Sequence, residues 1–377
     1  MKIALIGGHL SPALSVLESL PKEDKVLFVG RKYAFEGDNA LSLEYKTITS
    51  LNVPFVGLNT GRLQRKLTAH TISSLLKLPL GLLRSFIILV KFRPDVVVGF
   101  GGYVSFPVIF SAYLLRVPIV IHEQTLEAGF ANKILSKFAS KVCISWNSSR
   151  KYFPREKIVF TGNPIREPKI DSSIGSGAKL KINKEKNNLP LIYVTGGSSG
   201  SHFINVLLEG CVRELLEKYN VIHQTGDAQE FHDFDRLEKI KNNLSPELRQ
   251  RYILNKFINP SEVSSLLREA SLVISRSGMN TITELIYFEK PSLLIPLPYS
   301  QNNEQLKNAK FLERLGLGKV LLQNELDSKK LFQAISLMFN NINNYKIDAG
   351  ERKKLPRQSA AQSIIEVIKY VCQVKKT

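Results

Sequence analysis

Cysteine, tryptophan and acidic residues are scarce in this 377-residue chain. It contains one tryptophan and three cysteines, and 33 acidic residues stand against 52 lysines and arginines. Cys143, Cys211 and Cys372 are far apart in the sequence and lack the spacing of metal ligands. The cysteines therefore indicate reduced thiols, rather than a disulfide framework or a tightly bound metal.

A long uninterrupted apolar run is also absent. The most hydrophobic segment, 71–92, reads TISSLLKLPLGLLRSFIILVKF. Lys77, Pro79, Gly81 and Arg84 interrupt it, and each charge near the centre of a spanning helix costs roughly 2.5 to 3.5 kcal/mol. The segment is therefore not expected to cross a membrane.

Basic residues recur at a regular interval in this segment. Lys77, Arg84 and Lys91 are seven residues apart, which places them on one stripe of a helix among apolar side chains. Such a stripe is typical of a helix that lies in an anionic membrane surface. Burial against the first sheet, with the basic residues at the solvent edge, is the alternative. We expect both to hold in part.

The shortage of acidic residues favours an anionic partner. The formal net charge is +19 and the pI is about 9.7, which suits nucleic acid, an acidic membrane surface or a phosphorylated substrate. Helix-turn-helix, zinc-finger and ribonucleoprotein patterns are absent, so no nucleic-acid partner is predicted. A Walker motif and a spaced GxGxxG are absent too, which argues against a kinase and a typical dehydrogenase.

Each half of the chain begins with a strand, glycines and a helix. The strand KIALI precedes Gly7 and Gly8, and the strand LIYVT precedes the turn GGSSGS. Further strands alternate with helical patterns, including one helix predicted from about 203 to 219. The fold class predicted is α/β, with two doubly wound parallel sheets and ligands at the carboxyl ends of the strands, in a cleft between the domains.

Composition shifts predict the domain boundaries. We expect an N-terminal domain at 1–163 and a second domain at 164–345, in which 169–190 is a flexible excursion rich in Gly, Ser, Lys and Asn. Residues 346–377 carry apolar side chains at helical spacing, so this C-terminal helix is expected to dock on an apolar surface.

Residues 275–308 place polar groups directly after a predicted strand. A helix is predicted to begin at Asn280 or Thr281, so that its backbone N–H groups and Arg276 suit a diphosphate. Glu284 can accept hydrogen bonds from two ribose hydroxyls.

A second predicted helix start in the same stretch carries Gln305 and Asn308, whose amides suit sugar hydroxyls. The stretch thus favours a sugar nucleotide. A capped helix with one structural ion pair is the alternative.

Polar residues also follow strands in the first half. His9 precedes a helix, where the helix dipole lowers the pKa of an imidazole and favours a general base; a simple cap is the alternative. His122, Glu123 and Gln124 end a buried strand, where three polar side chains are costly unless a site uses them. The segment HDFD at 232–235 contains a DxD, which we interpret as solvated surface.

Short segments along nearly the whole chain together resemble the successive motifs of the MurG family of peripheral membrane glycosyltransferases. In order, they are GGHLSPAL, GFGGYVSFP, HEQ, AGFANK, TGNPIR, TGGSSGS, HQTG, SRSGMNTITEL and EQLKNA.

The resemblance implies a glycosyltransferase B fold of two Rossmann-like domains that face a central cleft. It implies inverting transfer of N-acetylglucosamine from UDP-N-acetylglucosamine to the muramyl 4-hydroxyl of undecaprenyl-linked lipid I, which forms lipid II for peptidoglycan. It also implies a peripheral location on the cytoplasmic face of the plasma membrane, other cell-wall synthesis proteins as partners, no metal, and a C-terminal helix that packs back on the N-terminal domain.

The matching positions imply three groups of site residues. The donor group is Arg166, Ser198, Ile258, Arg276, Met279, Asn280, Thr281, Ile282, Thr283, Glu284, Gln305 and Asn308. The residues implied in catalysis are His9, His122 and Glu123, with His9 the favoured base. The acceptor group is Gly7, Gly8, Gly101, Gly102, Tyr103 and Thr125, and the membrane group is Lys77, Arg84 and Lys91.

The chain departs from the family pattern at three positions. Gly7, Gly8 and His9 follow the first strand directly, where the family usually has the longer GGTGGH loop. Thr125 and Glu304 stand where the family usually has Asn and Gln. These departures leave alternatives: transfer to another membrane lipid such as diacylglycerol, or a non-catalytic sugar-nucleotide-binding scaffold. A nucleotide-sugar epimerase is disfavoured, because it would not need the lipid-facing segment.

Overall fold

The computed structural model describes residues 1–33, 40–58, 60, 69–166, 188–197, 199–356 and 359–374, without the side chains of 69–77, 229, 260 and 261. Its contacts divide the chain into two compact units. Unit 1 is Met1–Arg166 together with Leu355–Thr377, and unit 2 is Glu167–Lys354. Most of the predicted excursion at 169–190 lies outside the described residues.

Unit 1 is built on a parallel sheet of seven strands, in the order β3-β2-β1-β4-β5-β6-β7. The strands are β1 (Lys2–Ile6), β2 (Lys25–Gly30), β3 (Phe55–Gly57), β4 (Val96–Gly99), β5 (Ile119–Glu123), β6 (Lys141–Ile144) and β7 (Ile158–Phe160). The helices between them are α1 (Leu10–Ser19), α2 (Leu43–Ser50), α3 (Ala69–Phe92), α4 (Ser105–Leu114) and α5 (Phe130–Leu135).

Unit 2 is built on a parallel sheet of six strands, in the order β10-β9-β8-β11-β12-β13. The strands are β8 (Leu191–Thr195), β9 (Asn220–Gln224), β10 (Tyr252–Asn255), β11 (Leu272–Ser275), β12 (Ser292–Leu294) and β13 (Gly318–Val320). The helices are α6 (His202–Glu209), α7 (Val212–Lys218), α8 (Asp233–Asn242), α9 (Pro246–Gln250), α10 (Pro260–Glu269), α11 (Met279–Tyr287), α12 (Glu304–Arg314), α13 (Ser328–Asn340) and α14 (Ala349–Arg352). The prediction of two doubly wound parallel sheets is confirmed.

The last helix, α15 (Ala360–Val374), packs on unit 1. Alternate residues of a strand point to opposite faces of the sheet, so Ile3 and Leu5 of β1 contribute to one apolar cluster and Ala4 and Ile6 to the other. The first cluster also contains the buried apolar face of α15. Helices therefore cover both faces of the sheet, and α15 covers one of them together with α1.

The predicted helix 203–219 is wrong, because it is two helices, α6 and α7, separated at Gly210 and Cys211. A side chain at Gly210 would bring its Cβ within 2.4 Å of Ser328 Oγ, the first residue of α13. The chain thus needs glycine where it passes α13, and glycine ends α6 because it has low helix propensity. The apolar residues predicted for one face, such as Leu207 and Leu215, are buried.

The interpretation of HDFD as solvated surface is wrong for Asp233. This side chain is 5% exposed and accepts hydrogen bonds from Asn205 Nδ2 at 2.8 Å and Arg236 at 2.8 Å. His202 Nδ1 lies 2.8 Å from the same carboxylate. Only Asp235 of the pair is exposed, so the two carboxylates do not act together.

Helix α3 contains the apolar segment 71–92 with Pro79 inside it. No helix in the described part of the chain is both long enough and apolar enough to cross a membrane. The side chain of Lys77 lies outside the described residues.

Candidate functional site

In unit 1, the first glycine turn packs against the turn that follows β4. A Cβ on Gly8 would lie 2.2 Å from the backbone oxygen of Gly101, and one on Gly102 would lie 2.9 Å from the Cα of Gly8. Gly101 and Gly102 have φ values of +80° and +77°, which favour glycine. The carboxyl ends of parallel strands share one edge of the sheet. This contact therefore places His9, the predicted base, beside Gly101 and Gly102 of the predicted acceptor group.

His9 is the N-cap residue of α1 and makes no side-chain cap hydrogen bond. Its backbone N–H donates to the Phe100 carbonyl at 3.2 Å, and its ring edge lies against Gly101, since a Cβ there would be 3.2 Å from His9 Cδ2. Burial lowers the pKa of His9, and Arg31 lowers it further, while Glu123 opposes both. The imidazole is therefore neutral at pH 7 and able to accept a proton.

Glu123 organises the loop that follows β5. Its carboxylate accepts hydrogen bonds from Thr125 N at 3.0 Å, Thr125 Oγ1 at 2.5 Å, Gly129 N at 2.9 Å and Asn132 Nδ2 at 3.0 Å. Glu123 is 2% exposed. With four donors, this carboxylate holds the start of α5 in place and lies in the electrostatic environment of His9.

His122 is buried beneath the same edge. Its Nε2 lies 3.2 Å from the Gly162 carbonyl oxygen and 3.0 Å from Ser145 Oγ, and burial lowers its pKa to about 3. The ring is thus neutral and used for internal contacts. His122 therefore stabilises the turn at Gly162.

Two charged residues that the sequence analysis did not select complete this edge. Arg31 follows β2 directly, and its guanidinium carbon lies 6.0 Å from the centre of the Tyr103 ring. Glu44 of α2 is buried next to Gly7, and burial raises the pKa of its carboxyl group. No local sequence signal marked either residue.

In unit 2, the glycine turn after β8 packs against the turn after β9. A Cβ on Gly200 would lie 1.9 Å from the Thr225 carbonyl oxygen, and one on Gly226 would lie 2.4 Å from the Ser199 carbonyl oxygen. Gly197 and Gly278 differ, since a Cβ on either would meet none of the described residues within 4 Å. The turn is therefore closed on one side and open on the other.

Arg276, directly after β11, points to this turn. Its Nε donates to Ser201 Oγ at 3.0 Å and its Nη1 donates to the Ile295 carbonyl at 3.1 Å. Among the described residues, no carboxylate lies within ion-pair distance of it, and burial lowers its pKa to about 10. The guanidinium is fixed by neutral partners and keeps its charge available for an anion.

The helix α11 begins at Met279, just before the predicted start at Asn280 or Thr281, and Glu284 lies in its second turn. None of the described residues donates a hydrogen bond to its carboxylate. Burial raises the pKa of Glu284 to about 7, and its charge helps to raise that of Tyr193. A half-buried carboxylate without donors is the arrangement expected of a group that a ligand satisfies.

Gln305 and Asn308 lie in the first two turns of α12, which begins at Glu304. The Gln305 side-chain oxygen accepts from Leu297 N at 3.0 Å, which leaves its amide nitrogen as a donor. Asn308 is fully buried, and its Nδ2 donates to the Ser277 carbonyl at 3.0 Å. The side chain of Asn308 therefore holds the backbone of the loop after β11 in place.

The other donor positions differ in their surroundings. Ser198 lies outside the described residues. Arg166 forms a two-bond ion pair with Glu18 of α1 within unit 1. The remaining predicted positions follow β10 and β11 in the chain. Ile258 lies three residues after β10, and the first five residues of α11 are the others: Met279, Asn280, Thr281, Ile282 and Thr283. Ile258, Met279, Ile282 and Thr283 are buried.

Sequence reasoning also missed Asn132 and Ser201. Asn132 donates to the His122 carbonyl and to Glu123, and Ser201 accepts from Arg276. Both lie inside quoted motifs, AGFANK and TGGSSGS, so the motifs marked the segments although not these residues. Within the described residues, no group of three or more His, Cys, Asp or Glu is arranged to hold a metal ion.

An apolar and basic stripe is exposed on α3. Leu80, Leu83 and Ile87 are 60%, 58% and 43% exposed, at three- to four-residue spacing. Arg84 and Lys91 are exposed on the same helix. This stripe combines exposed apolar side chains with cations, as the sequence pattern indicated.

Known protein families match both units. The glycosyltransferase family 28 N-terminal domain matches residues 6–144, and the glycosyltransferase family 28 C-terminal domain matches residues 191–366. With its two Rossmann-like domains, the chain is a glycosyltransferase, and the predicted glycosyltransferase B fold is confirmed.

Full-length relatives identify the family. A protein from Halothermothrix orenii is 34% identical over 372 residues, which cover 96% of this chain and 95% of that protein. One from Acetivibrio thermocellus is 32% identical over 390 aligned positions, covering 100% and 99%. Both are named UDP-N-acetylglucosamine–N-acetylmuramyl-(pentapeptide) pyrophosphoryl-undecaprenol N-acetylglucosamine transferase. The chain belongs to this family, the MurG family.

Solved structures agree with this assignment. The crystal structure of Acinetobacter baumannii MurG is 25% identical, with a TM-score of 0.68 and coverage of 98% of this chain and 100% of that one. A UDP-GlcNAc 2-epimerase from Neisseria meningitidis bound to UDP-GlcNAc has a TM-score of 0.61, with coverage of 98% and 99%. At 16% identity, that likeness shows the fold alone.

Substitution of Gly8 tests the contact that joins the two turns of unit 1. We expect Gly8→Ala to destabilise the protein by about 1–3 kcal/mol, because the new methyl group meets rigid backbone. Urea denaturation measures the change. Gly129→Ala is the matched control, since its Cβ would meet only Glu123 Oε2 at 3.6 Å, and its cost is expected to stay below about 1 kcal/mol. Equal effects would contradict the assignment.

Proposed function

We propose that this protein transfers N-acetylglucosamine from UDP-N-acetylglucosamine to the muramyl 4-hydroxyl of lipid I, which produces lipid II. Membership of the MurG family supports the substrates. The observation that carries the proposal is a pair of charged groups in unit 2, Arg276 and Glu284, for which the described residues supply no partner of opposite charge. A nucleotide diphosphate brings both an anion and two neighbouring hydroxyls to such a pair.

The donor is bound by unit 2 in this proposal. The Arg276 guanidinium attracts the diphosphate, and the open side at Gly197 and Gly278 leaves room for it. Glu284 accepts from the ribose hydroxyls. The free amide donor of Gln305 contacts the sugar, while Asn308 positions the Ser277 carbonyl instead of reading the sugar itself.

Other family positions take supporting roles in donor binding. Ile258 presents its backbone to the uracil ring, and the loop and helix start at 279–284 surround the ribose. Ser198 contacts the diphosphate. Arg166 reaches the diphosphate only if it leaves Glu18, with which it is paired.

The base is His9 in this proposal. Its lowered pKa keeps the imidazole neutral, and it lies beside Gly101 at the edge where the acceptor residues gather. His122 is used by Gly162 and Ser145, and Glu123 is used by four donors, so both position the site instead of exchanging protons.

The chemistry is a direct displacement. The 4-hydroxyl oxygen attacks the anomeric carbon as its proton passes to the His9 imidazole, and the bond from that carbon to the UDP oxygen breaks with inversion. Negative charge then grows on UDP. The Arg276 guanidinium and the N-terminus of α11 stabilise that charge.

The exposed stripe of α3 is the proposed contact with the membrane. Leu80, Leu83 and Ile87 would enter the interface, and Arg84 and Lys91 would attract anionic head groups. The protein would then act on the cytoplasmic face of the plasma membrane, where the lipid-linked acceptor is held in the bilayer.

Radiolabelled transfer tests both the reaction and its base. We expect labelled N-acetylglucosamine to appear on a short-chain lipid I analogue, and His9→Ala to lower kcat by about 10²- to 10⁴-fold through loss of the base. UDP-N-acetylglucosamine affinity, measured by calorimetry, should stay within about twofold, because donor contacts are assigned to unit 2.

His232→Asn is the control for this assay, since that histidine has a 70% exposed side chain and a positive φ that asparagine tolerates. Normal turnover in His9→Ala would remove His9 as the base. Product on diacylglycerol alone, or no product, would overturn the reaction.

The raised pKa of Glu284 predicts a pH-dependent donor affinity. The carboxyl group titrates at about pH 7, so UDP-N-acetylglucosamine should bind more tightly as the pH rises from 6 to 8. Glu284→Gln should bind about tenfold or more weakly at pH 8, because a charge-assisted hydrogen bond contributes about 1.5–3 kcal/mol. Its affinity should not vary over this range.

Stability of the unliganded protein should change in the opposite direction. A folded-state pKa above the unfolded value makes stability fall as the pH rises through about 7, so Glu284→Gln should raise Tm at pH 8. Glu238→Gln, on the exposed face of α8, is the control. A pH-dependent affinity that persists in Glu284→Gln would refute the assignment of Glu284 to the donor.

Charge reversal on α3 tests the membrane contact. Arg84→Glu with Lys91→Glu should weaken binding to anionic phospholipid vesicles at least tenfold, because each basic residue near such a surface contributes about 1 kcal/mol. Vesicle sedimentation measures the partition. Lys239→Glu with Lys319→Glu makes the same charge change on unit 2, so an equal loss there would show that only net charge matters.

A further inference from the structure

The carboxylate of Glu44 fills the space beside the first glycine turn. A Cβ on Gly7 would lie 1.8 Å from Glu44 Oε1, and one on Gly30 would lie 2.6 Å from Glu44 Oε2. Glu44 is 5% exposed. The glycines at the ends of β1 and β2 therefore make room for an acidic side chain of α2.

Backbone N–H groups bind this carboxylate. Arg31 N donates to Glu44 Oε2 at 2.7 Å, and the backbone of Gly8 adds a second hydrogen bond. N–H groups at a strand-to-helix turn are the groups that bind phosphate in many nucleotide folds. In the first glycine turn, the N–H groups of Gly7 and His9 donate to backbone carbonyls and that of Gly8 bonds to Glu44, so a phosphate there would find few donors and would meet a like charge.

A cation lies next to this occupied turn. The Arg31 guanidinium carbon is 6.0 Å from the centre of the Tyr103 ring, and its charge contributes to lowering the pKa of His9. Arg31 is thus close to the proposed base and to a residue of the acceptor group. A guanidinium can bind two phosphate oxygens at once through its parallel N–H groups.

We propose that Glu44 is the resident anion of the first glycine turn, and that Arg31, instead of the turn, binds the diphosphate of the acceptor. The proposal rests on the proposed function and specifies its acceptor site. It accounts for the short turn of this chain, since the N–H groups of Gly7 and His9 donate to backbone carbonyls and that of Gly8 bonds to Glu44.

Binding of inorganic pyrophosphate tests the role of Arg31 without turnover. The protein is saturated with UDP so that the donor site is filled, and pyrophosphate binding is measured by calorimetry. We expect Arg31→Gln to bind at least tenfold more weakly than the unmodified protein, and Arg31→Lys to lie between the two, because an ammonium group keeps the charge but lacks the parallel N–H groups. Equal affinities of Arg31→Gln and the unmodified protein, or no binding by the latter, would overturn the proposal.

Lys32→Gln is the matched control for charge. Lys32 is the next residue, and its ammonium group lies over the rings of Tyr33 and Tyr45, at 5.4 Å and 5.8 Å. Its removal should leave pyrophosphate affinity within about twofold. A loss as large as that of Arg31→Gln would mean that general charge, instead of a specific contact, binds the anion.

A double variant separates Arg31 from the turn. Glu44→Gln removes the charge but keeps an oxygen that accepts the N–H groups. If Arg31 binds the diphosphate, Arg31→Gln with Glu44→Gln should bind as weakly as Arg31→Gln alone. Recovery of the original affinity would show that the turn, once free of its anion, is the phosphate site. Thermal unfolding and UDP affinity verify that each variant is folded.

The transfer assay keeps this inference distinct from the reaction. Arg31→Gln should raise the KM for the lipid I analogue at least fivefold with little change in the KM for UDP-N-acetylglucosamine. If the unmodified protein makes product and Arg31→Gln has the same acceptor KM, the inference fails while the reaction stands. If no product forms at all, the reaction fails, and the pyrophosphate measurements still decide the role of Arg31.

Discussion

Contact of backbone with backbone at the glycine turns is the constraint on which the candidate site of each unit depends. Gly8 lies against Gly101 in unit 1, and Gly200 lies against Gly226 in unit 2, at distances that leave no room for a Cβ. Each contact brings together residues that follow neighbouring strands. The side chains beside the turns, His9 in one unit and Arg276 in the other, owe their positions to it. Function thus rests on the absence of side chains as much as on their chemistry.

The charged groups around these turns differ in whether the protein itself supplies their partners. Glu123 is surrounded by four donors and serves the structure. Arg276 and Glu284 are half-buried without a partner of opposite charge among the described residues, which disfavours their ionised forms. Such groups cost stability in the free protein and regain it when a ligand supplies the missing partner. This contrast separates the residues that hold the site from those proposed to bind the donor.

The sheets could be predicted from the sequence because local signals mark them. Contacts between segments that are distant in the sequence could not be predicted. Strands, glycine turns and the buried face of α15 follow from composition and periodicity within short windows. Glu44 reaches the first turn from α2, and no short window contains both. The break at Gly210 likewise depends on α13, more than a hundred residues further along the chain. The family motifs located Arg276 and Glu284 in unit 2 and Glu123 in unit 1, but the four donors that satisfy Glu123 became visible only in the coordinates.

The position of α15 has a consequence for biosynthesis. Unit 1 draws its strands from the start of the chain, yet Ile364, Ile365 and Ile368 of its apolar cluster come from α15. The ribosome must therefore complete all of unit 2 before the sheet of unit 1 receives its last cover. During that interval the part of the apolar face that α15 later covers lacks its partner, although α1 already packs on the same face.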